Sequence, residues 1–110
     1  MLTEYLHAQE ASFLKLCKMY DVKKLYVFGS AITNDFNPDK SDIDIVVEIE
    51  EKDPLQKGEK LLMLWDNLED FFKRKVDLIT DQPIKNPYLK SSIDRTKVLI
   101  YDGEGQKILV

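Results

Sequence analysis

An α/β (α+β) fold, a small mixed β-sheet flanked by helices, is what this sequence predicts, and three observations predict it. Segments with apolar residues at helical spacing alternate with short β-branched and aromatic runs, in the order αβ, β, αβ, αβ. The chain has 110 residues, enough for one core and too few for two. No internal repeat, low-complexity segment or linker divides it, so residues 1–110 are expected to form a single domain.

The elements follow in order. Residues 3–20 carry Tyr5, Leu6, Phe13, Leu16, Cys17 and Tyr20 at three-to-four spacing, which predicts one amphipathic helix with Thr3 as a cap. Residues 24–29, KLYVFG, are short, aromatic and β-branched and predict a strand. A polar loop leads to a second strand at residues 42–50, DIDIVVEIE. Asp53-Pro54 supplies an N-cap and a first-turn proline for a second helix, with Leu55, Leu62, Trp65, Leu68 and Phe72 as its apolar face. That helix ends near Lys73, and Gly58 weakens its first turns. KVDLIT, residues 75–80, predicts a third strand, Asn86-Pro87 opens a short helical stretch, and KVLIYD, residues 97–102, predicts a fourth strand.

Composition excludes several classes of function. A single Cys17 allows no internal disulfide, and with His7 alone beside it there is no soft ligand set for structural zinc, so any metal must be held by oxygen. The net charge of −4 has the wrong sign for a domain held to nucleic acid by phosphate neutralisation, and no stable nucleic-acid binding is expected. The local basic group Lys73, Arg74 and Lys75 reads as a solvated helix end complementing its dipole. No apolar run approaches a membrane span and no signal peptide opens the chain, so no membrane association and a cytoplasmic location are expected.

The second predicted strand is unusual in carrying Asp42 and Asp44. Alternate strand residues share a face, which sets the two carboxylates side by side with α-carbons about 6 to 7 Å apart. Asp is depleted in strands, and ionised carboxylates near a core require a compensating partner. A divalent cation is the simplest one, and all-oxygen ligation favours Mg²⁺ or Mn²⁺. Gly29-Ser30 suits the other half of such a site: glycine admits a phosphate close to the backbone, and the serine hydroxyl and nearby amides donate to its oxygens. Asp77, in the middle of KVDLIT, is placed for a neighbouring strand to bring it onto the same face. Each feature also has a plainer reading: Gly29-Ser30 as a turn, Asp42 and Asp44 as a solvated strand end, Asp77 as an exposed polar position. Together they point to phosphoryl or nucleotidyl transfer.

This pattern, Gly29-Ser30, eleven residues, Asp42-Ile43-Asp44 and then Asp77 on a later strand, resembles the nucleotidyltransferase superfamily of DNA polymerase β, and its minimal nucleotidyltransferases most of all. The resemblance covers nearly the whole chain, including the closing strand KVLIYDG. It implies the nucleotidyltransferase fold, two metal ions (Mg²⁺, with Mn²⁺ as the alternative) held by Asp42, Asp44 and Asp77, and ATP as nucleotide donor. It also implies that Asp77 helps to activate the attacking hydroxyl and that Gly29 and Ser30 hold the triphosphate. Many members carry arginine soon after the Gly-Ser pair. Here Ala31, Ile32, Thr33 and Asn34 follow, leaving charge compensation to Lys40, Arg95 or a partner.

A chain of this length has no room for a domain that shapes an acceptor. Minimal nucleotidyltransferases typically pair with an all-helical HEPN toxin, an RNase, and the resemblance therefore implies an antitoxin that transfers AMP to a hydroxyl of that toxin, a tyrosine, in a hetero-oligomer or with a homo-oligomer also formed. Two alternatives stay open: an antitoxin that neutralises by binding alone, and transfer to a small molecule such as an aminoglycoside. The apolar end, residues 107–110, is open to two readings as well, as an edge strand for another subunit or as a tail docked on its own domain.

Overall fold

β-Branched and aromatic residues build a central pair of antiparallel strands, β1 (Val22–Phe28) and β2 (Ile43–Ile49). The structure is a computed structural model that describes residues 2–29, 42–80, 86–104 and 107–108. Its sheet has the order β3-β2-β1-β4-β5, where β3 is Val76–Thr80, β4 is Val98–Asp102 and β5 is Lys107–Ile108. β2 and β3 are parallel and the other pairs antiparallel, so the sheet is mixed as expected. A parallel pair needs a long crossover, and the helix α3 (Pro54–Phe72) supplies it; α1 (Leu2–Ala8), α2 (Glu10–Met19) and α4 (Pro87–Thr96) complete the fold.

The sheet separates two layers of apolar side chains. On one face Leu25, Val27, Ile43, Ile45, Val47 and Val76 pack with Leu6 of α1, Phe13 and Cys17 of α2, and Leu64, Leu68 and Phe72 of α3. Tyr5, Phe13, Phe71 and Phe72 form an aromatic cluster there, and the Tyr5 hydroxyl donates to the Phe71 carbonyl, tying α1 to α3. The opposite face holds a smaller cluster of Phe28, Val46 and Ile93, with Tyr26 and Ile79 against it, under α4.

Of the helix starts read from sequence, those at Asp53 and Asn86 are present, whereas Thr3, expected as a cap, lies inside α1. The Asp53 side chain accepts from the Leu55 N–H at 3.1 Å with Pro54 in the first turn of α3, and Asn86 accepts from the Tyr88 and Leu89 N–H groups ahead of α4.

Four expectations are corrected. The helix over residues 3–20 is two, broken at Gln9 (φ −124°, ψ 35°), whose N–H reaches both the Tyr5 and Leu6 carbonyls; a single-residue break leaves the apolar period intact. On α3, Leu68 and Phe72 are buried, but Leu55, Leu62 and Trp65 are 71%, 67% and 37% exposed, because the buried stripe runs through Leu64, Leu68 and Phe72 instead. Asp42 precedes β2 by one residue rather than lying within it. A fifth strand exists: Lys107 and Ile108 pair with Asp102 and Tyr101 of β4, so this part of the chain end docks on its own sheet. Gly103, at the intervening turn, donates to the Lys23 carbonyl at 2.7 Å, and a Cβ there would stand 2.8 Å from the Val22 carbonyl oxygen.

Candidate active site

Strand alternation decides which face each aspartate takes. Ile43, Ile45 and Val47 of β2 enter the large core, which turns Asp44 to the α4 face together with Val46. In β3, Val76 and Leu78 pack with the same large core, so Asp77 and Ile79 share the α4 face. The parallel register sets Asp44 directly beside Asp77. The carboxylates in the apolar run are therefore not in its core. They line the edge of a thinly covered second layer, both half-buried.

The electrostatics follow from that placement. The Asp44 carboxyl is pushed up to about 6, first by burial, then by the charge of Asp77 and a hydrogen bond shared with it, and then by the charge of Asp42. Asp42, Asp44 and Asp77 are thus electrically one neighbourhood. Among the described residues no three His, Cys, Asp or Glu side chains close around a single metal position, so the closest association is the Asp44–Asp77 pair, with Asp42 acting from just before β2.

Gly29 follows β1, whose Phe28 pairs with Asp44. Its φ is +72°, and a Cβ built there would lie 2.7 Å from Asp44 Oδ2. Only glycine gives the carboxylate this room, which ties Gly29 to the aspartate more directly than the spacing suggests. Ser30, expected beside it, lies outside the described residues, as do Lys40 and the rest of the loop up to residue 41. Arg95, the other cation considered for charge compensation, has its Nε 3.4 Å from the Ser91 carbonyl on its own helix.

Two residues that sequence reasoning missed complete the arrangement. Thr96, at the end of α4, accepts from the Gly29 N–H at 3.0 Å through Oγ1 and donates to the Ser92 carbonyl at 2.7 Å, clamping the glycine turn to the helix that covers the site. Trp65 of α3 donates from Nε1 to the Val76 carbonyl at 2.7 Å, while the Val76 N–H donates to Glu69 at 3.0 Å. These two bonds dock the start of β3 and so hold Asp77 in register. Nothing in the local sequence signals either contact, since the partners are 67 and 11 residues away.

Gly29, Asp44 and Asp77 open onto one cleft of about 490 Å³, walled by Phe28, Trp65 and Ile79, with Leu89 and Ser92 of α4 on its far side. That volume is in the range of small-ligand sites.

The nucleotidyltransferase domain family model matches residues 12–100. Two Methanocaldococcus jannaschii proteins that bear provisional names as protein adenylyltransferases are each 40% identical to this chain. One aligns over 86 residues, 78% of this chain and 84% of the relative, and the other over 85 residues, 77% and 83%. Among solved structures, a protein provisionally named a minimal nucleotidyltransferase is 26% identical, with a TM-score of 0.57 over 86% of this chain and 92% of that one. A toxin–antitoxin structure with AMP-PNP matches at a TM-score of 0.60 and 20% identity, over 88% of this chain and 77% of that one. A complex of a tri-AMPylated Shewanella oneidensis HEPN toxin with an MNT antitoxin matches at 0.51 and 20%, over 90% and 74%. The last two likenesses are likenesses of fold. With most of its length matched by the family model and by relatives at 40% identity, the chain belongs to the nucleotidyltransferase domain family and is a nucleotidyltransferase.

Proposed function

We propose that this nucleotidyltransferase is an antitoxin that transfers AMP from ATP to a hydroxyl, a tyrosine, of a cognate all-helical HEPN toxin in the cytoplasm and so neutralises it. The observation that carries the chemistry is the pairing of Asp44 with Asp77 beside Gly29 in one cleft. Support for a protein acceptor comes from the names of the 40% identical relatives, and support for the toxin comes from the toxin–antitoxin complexes that share the fold.

The donor set fits a hard divalent cation: it is all carboxylate, and of the causes that push Asp44 up to about 6, burial first and then the charges of Asp77 and Asp42, the charge repulsion is what a cation would relieve. Asp42, Asp44 and Asp77 would hold two Mg²⁺ ions, with Mn²⁺ as the alternative. When bound, such ions neutralise phosphate charge and align the attacking and leaving oxygens. Gly29, with no Cβ, brings the turn after β1 directly against Asp44 while its N–H is held by Thr96, and Gly29 and Ser30 are the residues expected to hold the triphosphate. In the reaction the acceptor oxygen bonds to the α-phosphorus, the bond from that phosphorus to the pyrophosphate oxygen breaks, pyrophosphate leaves, and Asp77 takes the hydroxyl proton. The protein's part is positioning and electrostatics rather than covalent chemistry.

The test is transfer of α-labelled ATP to the cognate HEPN toxin, in Mg²⁺, comparing the intact chain with the double variant D42N/D44N. Label on the partner that disappears in the double variant is the expected result. Undiminished neutralisation without label, with every nucleotide tried, would make the chain an antitoxin that works by binding alone.

A further inference from the structure

Leu55, Gly58, Leu62 and Trp65 follow one another at intervals of three, four and three residues along α3, the spacing of a seam that receives another helix. The two leucines are among the most exposed large apolar side chains described. Between them, a Cβ on Gly58 would meet nothing within 4 Å, so no packing among the described residues calls for a glycine that weakens the helix. The seam forms the wall of a groove of about 480 Å³, floored by Leu61 and Leu78, that is almost wholly apolar.

Two features say what covers it. Trp65 and Leu78 line both this groove and the cleft that holds Asp44 and Asp77, so a chain lying in the groove is led to the reacting groups. The charge of α3 selects the occupant: its acidic residues Glu59, Asp66, Glu69 and Asp70 outnumber its basic Lys57 and Lys60, and with Glu69 engaged by the Val76 N–H and Lys60 by Asp21 and Glu51 the excess of acid remains. A second copy packed here about a two-fold axis would set acid against acid, whereas a helix with basic flanks is complementary.

We propose that the groove along Leu55, Gly58, Leu62 and Trp65 is the docking site for an amphipathic helix of the acceptor protein, apolar along one face and basic at its margins. Gly58 is the notch that lets that helix approach closely. The proposal rests on a protein acceptor and specifies where that acceptor is held.

The affinity of the cognate HEPN toxin, the helical acceptor proposed above, is measured without nucleotide for the intact chain, for L55E/L62E and for Gly58→Leu, which fills the notch without adding charge. Each variant is checked for retained helical content and for a melting temperature no lower than that of the intact chain. Loss of about 10- to 100-fold in affinity in both variants is expected, the scale of a few buried apolar contacts. Wild-type affinity in either folded variant overturns the proposal, as does an intact chain with no affinity for the helical protein. So does an oligomer of this chain alone that L55E/L62E dissociates while acceptor affinity is kept, which would assign the groove to a second copy. AMP transfer by the intact chain, read in parallel, judges the catalytic reading separately: binding lost with the groove variants but no transfer by any form would leave the groove standing and remove the chemistry.

Discussion

Asp44 of β2 and Asp77 of β3 are direct neighbours in a parallel ladder, and burial, followed by the charge of Asp77, raises the Asp44 carboxyl to about 6. Two like charges facing each other on adjacent strands destabilise a sheet, so the pair costs the metal-free fold stability that a cation is suited to return.

Removing one charge should therefore stabilise and inactivate at once. Asp44→Asn is expected to raise the melting temperature of the metal-free protein at pH 7 by a few degrees, equivalent to about 1 kcal/mol once solvent screening of this half-exposed group is allowed for. Addition of Mg²⁺ should raise the melting temperature of the native chain but not of the variant, and nucleotidyl transfer should fall at least about 1,000-fold. Calorimetry with and without Mg²⁺, alongside the labelled-ATP assay, checks all three. A variant less stable than the native chain would mean that Asp44 is held by favourable contacts.

The same pair sets a pH dependence. Asp44 is raised from 3.8 to about 6 on folding, so the folded state holds its proton where the unfolded state has lost it. Its contribution favours folding below pH 4 and is lost as pH rises through about 6. Denaturant unfolding in EDTA between pH 4 and 7 should show this decline relative to Asp44→Asn, which removes the titrating group. Parallel curves for the two proteins would sink the assignment.

Gly29 combines a φ of +72° with a 2.7 Å approach of its missing Cβ to Asp44 Oδ2. Gly29→Ala should cost about 1–3 kcal/mol in stability and displace Asp44, so that transfer falls more steeply than folding. Urea unfolding and kcat measured on the same preparation separate the two effects.

Thr96 accepts from the Gly29 N–H and caps the site from α4. Thr96→Val keeps the shape and removes the acceptor, and should cost about 1–2 kcal/mol and lower activity, while Thr96→Ser should restore both. Failure of serine to rescue would assign the effect to packing of the threonine methyl.

Gly58 sits in the second turn of α3 with open space, among the described residues, where a Cβ would go. Gly58→Ala should stabilise the isolated chain by about 0.5–1 kcal/mol through helix propensity alone. Thermal unfolding of the chain without partner is the measurement, and a destabilised variant would reveal an internal reason for the glycine.

Much of this protein is determined by local sequence. Strand period, the Asp-Pro and Asn-Pro helix starts, and the setting of Asp42, Asp44 and Asp77 among apolar residues are all near-neighbour properties, and they suffice for four strands, the sheet class and a set of candidate carboxylates, though not for the break at Gln9 or the fifth strand. The tertiary structure decided what periodicity cannot. A helical period says that a face is apolar without saying which of two adjacent stripes meets the sheet, so Leu64 and Leu68 took the core and left Leu55 and Leu62 exposed. Register between β2 and β3, whose first residue Val76 is also tied to Trp65 and Glu69 of α3, decided that Asp77 stands beside Asp44 rather than one residue away on the other face. The clamp from Thr96 to Gly29 joins residues 67 positions apart, a distance over which the chain carries no local signal and only the packing of α4 on the sheet brings donor and acceptor together.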